Sequence, residues 1–424
     1  MKILIRGGNL IDPASRHDGP ADIAIDSQLI VAVGEIPADF EPDQIIDASD
    51  KLVIPGLVDL QCRVREPGHT QKATIDSETR AAASGGVTSL CIPPDTQPVL
   101  DHSAVIELAH HRNQKAGNRC HLYTIGALTK GLQGEELSNM GALKDASCVA
   151  LSNALAPFAN NLVQRRAMEY AAGQGMPVVI QPYDKALYSN GCAHEGALTT
   201  RLGLPPIPEA AETAALAKDI ELVAQTGART HFGQLSCARS VDMIRQAKQD
   251  GLPVTADVAM HQLFLTDRDI DLFDTNKLTI PPLRGENDRD ALREGLQDGT
   301  IDCICSDHQP HDVDAKLQPF PSAEPGMSTL ETLLPLLFRL VDEQLFLSRL
   351  EALARITINP ARIFNLPAGQ LAAGELADLV IVDHRCHYQC DAAAFLSSGR
   401  NTGFQGWDFS ARAVTTLVAG RIIE

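Results

Sequence analysis

At 424 residues, with 44% hydrophobic and 21% charged residues, the chain can bury one large core and a smaller one, and its composition excludes wholesale disorder. A net charge of −18 argues against nucleic acid and anionic membrane as partners, since both are held by basic patches. No apolar run is long enough to span a bilayer, the start MKILIRGG is too short in apolar residues for a signal peptide, and the ten cysteines include no C-x-x-C pair, so a soluble, cytoplasmic protein with free thiols is expected.

Residues 2–10 and 21–33 carry alternating or short apolar runs, broken by Asp12-Pro13 and Gly34, which predicts β-strands. From Gly56 the rhythm changes. Short apolar segments recur at 57–63, 87–93, 121–127, 148–152, 177–180, 229–235, 253–258 and 301–306. Amphipathic stretches such as 70–84, 160–174, 209–225 and 238–249 lie between them, with Gly85, Gly175 and Gly251 placed to end helices just before the next strand. A β-then-α rhythm with eight strands predicts an α/β protein built on a (β/α)8 TIM barrel. An open doubly wound sheet is the competitor, weakened because no G-x-G-x-x-G stands at a first βα turn.

On the predicted eighth strand, Cys303-Ile304-Cys305 is read with its two thiols on opposite faces, unable to chelate together. The stretch 310–326 has four prolines and few apolar anchors, which predicts a flexible loop. β character returns at 377–383 and 414–423. The two ends are therefore expected to pair in one small β-domain, with residues 1–54 and 366–424 flanking a barrel of 55–365.

The chemistry concentrates in residues 53–68, VIPGLVDLQCRVREPG. Their frame resembles the first barrel strand of the amidohydrolase superfamily, where Asp-x-His-x-His presents two imidazoles to a metal. Those two positions are Gln61 and Arg63. A Gln amide is a poor zinc ligand, and a guanidinium has no free lone pair. Arg65-Glu66-Pro67-Gly68, Thr129-Lys130-Gly131, Pro281-Pro282-Leu283-Arg284, Ser306-Asp307-His308-Gln309-Pro310-His311 and Thr357-Ile358-Asn359-Pro360-Ala361-Arg362 are similar, in order, to motifs of dihydroorotase of the type found beside aspartate transcarbamoylase. That family interconverts N-carbamoyl-aspartate and dihydroorotate. The reaction calls for a metal to polarise a carbonyl, a carboxylate to move the proton and an Arg to hold the substrate.

The resemblance places the remaining metal-ligand positions at Asn153 (or the adjacent Ala154), Pro182 and Gln234, and leaves Asp307 as the one position that matches. Asp307 and His311 are then remnants of an active site, and Arg65 and Asp95 remnants of a substrate site. Asp95 stands where a neutral amide would contact an anionic substrate, so it is expected to neutralise Arg65; an Asn of the relatives is Ile280 here. Arg63, on the inward register, is expected to enter the old metal space and pair with Asp307.

The expectation is a pseudoenzyme: no catalytic residue, no metal and no cofactor. Its implied partner is the catalytic chain of aspartate transcarbamoylase, with a homodimer inside a larger hetero-oligomer, in the cytoplasm. Two alternatives stand beside it. One is an active dihydroorotase or other cyclic-amide hydrolase with an atypical metal site, for which Asp307, His311 and His231 could supply ligands that suit zinc. The other is a metal-free binding module that uses Arg65 to hold a pyrimidine intermediate.

Overall fold

The computed structural model describes residues 1–344 and 347–423. Eight parallel strands, Leu57–Asp59, Val87–Ile92, His121–Ala127, Cys148–Ser152, Val178–Ile180, Thr230–Phe232, Val254–Ala259 and Cys303–Cys305, pair in that order. Each overlaps one of the eight apolar segments of the sequence. The seam between first and last strands is closed beyond the strand ends. Cys62 bridges His308, the Arg63 N–H donates to the His308 carbonyl (2.9 Å), and the Ser306 N–H donates to the buried Asp59 carboxylate (2.9 Å). The predicted α/β class and (β/α)8 barrel are therefore observed.

Inside the barrel Val58, Cys91, Ile125, Ala150, Val179 and Cys303 form one apolar cluster. The helix Ile358–Phe364 and the residues after it plug the end from which the strands start, adding Ala361, Phe364 and Leu366 to that cluster. Asn359 and Arg229 tie the plug down by hydrogen bonds to the Asp302 and Ile363 carbonyls (2.9 Å each). With one end plugged, only the opposite mouth is left to carry a site, as in barrels generally.

The helices follow the amphipathic stretches closely: Ile75–Ser84, Asn161–Gly173, Ala210–Thr226 and Ala238–Gln249. Gly175 and Gly251 adopt the left-handed backbone a helix end favours, with φ of +68° and +75°. At the first helix that role falls to Gly86 (φ +83°), not to the expected Gly85, which stays right-handed at φ −83°.

The chain ends meet as expected. Leu379–Asp383 runs antiparallel to Leu52–Pro55, with Val380 opposite Ile54, in a six-stranded sheet. A second sheet of four strands, built around Lys2–Arg6 and Ile23–Asp26, packs on it. The alternation of strand side chains explains how one sheet serves two cores: Val53, Leu379 and Ile381 face the small-domain core, while Ile54, Val380 and Val382 face the barrel. No helix among the described residues is long and apolar enough to cross a membrane.

Two expectations change. The stretch 310–326, expected to be a flexible loop with few apolar anchors, is more anchored than that. It holds a short helix, Val313–Lys316, and buries Ala315, Phe320 and Ala323. Polar ties add to this: the Lys316 ammonium donates to the Thr275 and Glu324 carbonyls (3.0 and 2.6 Å), and Lys72 pairs with the Glu324 carboxylate. The two thiols of Cys303-Ile304-Cys305 share one face, because strand side chains repeat every second residue. Both lie close to the Asp257 carboxylate, with Cys305 Sγ 3.4 Å from Oδ1.

Candidate functional site at the barrel mouth

The strand ends at the mouth keep a special backbone. Arg65, Ala154, Gln234 and Asp307 all take positive φ, between +48° and +62°. Such conformations cost about 1–3 kcal/mol each for non-glycine residues and gather at functional sites. The mouth has therefore retained a shape in which particular side chains are aimed at one place.

Arg63 occupies its centre. Only 7% exposed, its Nε donates to Asp95 Oδ2 (2.8 Å) and its Nη1 reaches Asp307 Oδ1 at 3.5 Å. The expected pairing with Asp307 is present, but the shorter contact is to Asp95. Asp95 thus pairs with Arg63 and not, as expected, with Arg65. The reason is register: residues 63 and 65 share a face, and the left-handed turn at Arg65 sends the second guanidinium across the mouth instead. There Arg65 donates to the Pro310 carbonyl and meets His311 Nε2, both at 3.0 Å.

Asp307 is 1% exposed, and burial pushes its pKa up to about 7 although Arg63 pulls against the rise. Gln309 Nε2 donates to Oδ1 (2.9 Å). The Gln234 amide lies near enough to favour the charged form, yet neither Gln234 Nε2 nor Asp307 Oδ2 completes a hydrogen bond among the described residues. His311 is held neutral: burial, then Arg65, Lys316 and Lys72, push its pKa down to about 2. Burial and the neighbouring Arg63 lower Arg65 to about 10, which leaves it charged at neutral pH.

The other inherited positions are turned to structural work. Asn153 accepts from the Thr129 hydroxyl (2.7 Å) and donates to the Ala156 carbonyl (3.0 Å), so its amide ties its own loop to the one after the third strand. Pro182 is buried and offers no ligating atom, while Gln61 is half-buried at the end of the first strand. Ile280 contributes its carbonyl to Gln181 (3.3 Å). His231 lies deeper and away from His311, bonded through Nδ1 to Thr255 and through Nε2 to Asp257 (2.9 Å each). Asp257 also accepts the Gln234 N–H (2.6 Å). His231, Asp257 and Cys303 are the one trio among the described residues close enough to share a cation, but the hydrogen bonds already satisfy the imidazole and the carboxylate.

The donor set at the mouth does not fit a divalent cation. It offers one carboxylate (Asp307), three amides (Gln61, Asn153 and Gln234) and a proline where zinc wants three or more nitrogen, sulfur or carboxylate ligands. A permanent guanidinium charge 3.5 Å from that carboxylate would also repel a dication. The space beside Arg63, Arg65 and Asp95 amounts to about 20 Å³, room for roughly one water. A larger cleft of about 490 Å³ opens beside the fourth and fifth strand ends, lined by Asn153, Gln181, Tyr183, Lys185 and Lys218.

Sequence reasoning missed a buried clamp beside the mouth. Glu78, on the first helix and 0% exposed, accepts from His308 Nε2 and Ser397 Oγ (2.7 Å each) and from the Ser398 N–H (3.0 Å). The backbone N–H groups of Thr329 and Leu330 point at His308 Nδ1 (3.0 and 3.4 Å), which fixes the proton on Nε2. An acid in an Ala-rich helix carries no local sign that it will be buried. His261 is the opposite case. It is fully buried, and neither ring nitrogen has a partner among the described residues.

Burial alone lowers the His261 pKa to about 4. The unfolded chain takes up this proton below about pH 6.5; the folded chain does so only near 4, so the residue costs stability as pH falls through that window. We expect His261→Met to add about 1 kcal/mol at pH 7 by removing an unpaired polar group. It should also flatten the loss of stability between pH 6.5 and 4. Denaturant melts at pH 7 and pH 5 check this, and an unchanged pH slope would rule His261 out as the source.

Comparison with known proteins gives a consistent outcome. The dihydro-orotase-like family matches residues 50–240, and the amidohydrolase family matches residues 242–424. A dihydroorotase-like protein of Pseudomonas aeruginosa is 47% identical over 422 residues, covering 100% of this chain and 99% of its own. A dihydroorotase of Syntrophotalea carbinolica is 41% identical with the same coverage. The L-hydantoinase (dihydropyrimidinase) from Arthrobacter aurescens shares the fold, with a TM-score of 0.88 at 22% identity over 99% of this chain and 95% of its own.

Proposed function

This chain belongs to the dihydroorotase-like family of amidohydrolases, and we propose that within it the chain is a non-catalytic member, an assembly subunit for aspartate transcarbamoylase. The observation that carries the first half is the position of Arg63. Its guanidinium lies between Asp95 and Asp307, so the charge that a metal would bring is supplied by the protein itself. Arg65, which would otherwise grip a substrate carboxylate, is committed to Pro310 and His311. That commitment also weighs against a binding module built on Arg65. The active cyclic-amide hydrolase is disfavoured by the mismatched donors and by the guanidinium of Arg63 among them.

The second half rests on the family resemblance: a barrel with an intact core can hold another subunit's surface without turning over substrate. The partner is the catalytic chain, and this chain is a homodimer within a larger cytoplasmic hetero-oligomer. Purified, untagged protein is expected to contain no stoichiometric zinc and to leave dihydroorotate unchanged. Mixed with the transcarbamoylase of its host, it is expected to co-elute at higher mass and to raise that enzyme's stability by linkage. About one zinc per chain together with turnover would overturn the non-catalytic half. Equal mass, stability and activity of the transcarbamoylase with and without this chain would overturn the assembly half.

A further inference from the structure

The three most exposed large apolar side chains among the described residues are Leu272 (89%), Leu317 (73%) and Val313 (65%). They sit on two neighbouring segments at the barrel mouth, and Phe273, 45% exposed, adds a fourth. Single exposed leucines are ordinary, but apolar side chains gathered on one surface mark a place where something binds. Val313 and Leu317 are four residues apart, on one face of the helix Val313–Lys316 and the residue that caps it. Leu272 and Phe273 enter the next segment. Its Thr275 is cross-tied to Lys316 in both directions: Thr275 Oγ1 donates to the Lys316 carbonyl (2.7 Å) and Lys316 Nζ to the Thr275 carbonyl (3.0 Å). The Phe273 and Phe320 rings meet edge to face with centroids 6.5 Å apart. The two segments are thus held in one arrangement before anything binds, which limits the freedom lost on association.

The rim of this surface is acidic. Across 267–277 and 312–317 stand Asp267, Asp269, Asp271, Asp274, Asp312 and Asp314 against Arg268, Lys277 and Lys316. Lys316 is buried under its two carbonyls, Arg268 and Lys277 already face Glu286 and Asp274 at 3.1 and 3.8 Å, and Asp271 pairs with Arg201, so the acidic excess of the rim is carried by the other aspartates. Asp314 is exposed at the edge. A second copy of this chain on a two-fold axis would bring the same acidic rim against itself. An occupant with a basic rim would not.

Taking the assembly role proposed above as given, we infer that Leu272, Phe273, Val313 and Leu317 are the docking surface for the partner subunit, which receives them in an apolar pocket rimmed by Lys or Arg. The four side chains would enter as anchors, with the aspartates pairing around them. This seats the partner over Arg65 and His311, on the face where a metal-bearing relative would admit substrate.

The test compares Leu272→Asn/Leu317→Asn with a control on the small domain, Leu29→Asn/Ile45→Asn, whose side chains are also exposed, at 43% and 51%. Both change only solvent-exposed side chains, and matching circular dichroism and melting curves confirm that both fold. Binding of each to the purified transcarbamoylase catalytic chain is measured by sedimentation at low and at moderate salt. We expect the mouth variant to bind at least about tenfold more weakly, the control to bind as the unaltered chain does, and salt to weaken the unaltered complex. Equal binding by the mouth variant, with the unaltered chain still binding, would overturn the docking surface and leave the assembly role standing. Failure of the unaltered chain to bind would overturn both. Self-association of the unaltered chain that the mouth variant abolishes would assign the surface to a second copy and overturn the basic-rimmed partner.

Discussion

Replacing Arg63 by methionine is expected to cost about 3 kcal/mol of folding stability, near the lower end of what breaking a buried ion pair costs. The lower end applies because Asp95 is 31% exposed and can turn to water, whereas Asp307, at 1%, cannot. Asp307 can escape in part by keeping its proton, since burial already holds its pKa at about 7. This gives the loss a direction in pH. The folded chain holds a proton on Asp307 that the unfolded chain releases near 3.8. Stability is therefore lost as pH rises through the folded value. Without Arg63 that value moves higher still, so the deficit of Arg63→Met should grow between pH 6 and pH 9. Adding Asp307→Asn removes the buried charge and should recover much of the loss. Denaturant titrations of the two variants at both pH values decide the matter. If the double variant is as unstable as the single one at pH 9, Arg63 is not there to compensate Asp307.

The clamp at Glu78 should matter as much. Glu78→Ala leaves the buried His308 N–H and Ser397 hydroxyl and the part-buried Ser398 N–H without this acceptor, while Ser77 can still donate to the Thr74 carbonyl. At 1–3 kcal/mol for each buried group left unpaired, and with some relaxation, the expected cost is about 4 kcal/mol. Burial works against the Glu78 charge, but hydrogen bonds from His308, Ser397 and Ser77 outweigh it and hold its pKa below the ordinary value. Its contribution is thus present above the unfolded pKa of 4.5 and fades as pH falls through the lower folded value. The variant should lack that part of the acid loss. The segment around Ser397 and Ser398 bonds to Glu78, so its amide hydrogens should exchange faster in Glu78→Ala while those of the small domain do not. Uniform loss of protection across the chain would point to general unfolding instead of release of this segment.

Both sites bear on the same question. In active amidohydrolases the mouth must stay open to substrate. Here Arg63, Arg65, His311, Lys316 and Glu324 join the first strand end to the segment after the eighth, and Glu78 with His308 joins the first helix to the segment at 397–401. These ties hold the mouth in one arrangement.

Much of this was legible from residue order alone. Strand and helix periods are local, so the eight strands, the barrel and the pairing of the chain ends could be read from patterns a few residues long. The unsuitability of the metal donors was equally plain, because an amide, a guanidinium and a proline have their chemistry wherever they are placed. What the sequence could not determine was which polar groups meet. Asp95 joins Arg63 across 32 residues, Arg63 reaches Asp307 across 244, and His308 reaches Glu78 across 230. The left-handed turn at Arg65 diverts that side chain from Asp95 to His311. The turn of Asn153 toward Thr129, and the burial of Phe320 and Lys316 in a proline-rich stretch, likewise depend on the packed surroundings. Residue identity determined which donors stand at the mouth; tertiary structure decided what holds the mouth together, because a buried charge takes its partner from whatever the closed barrel brings within hydrogen-bond reach.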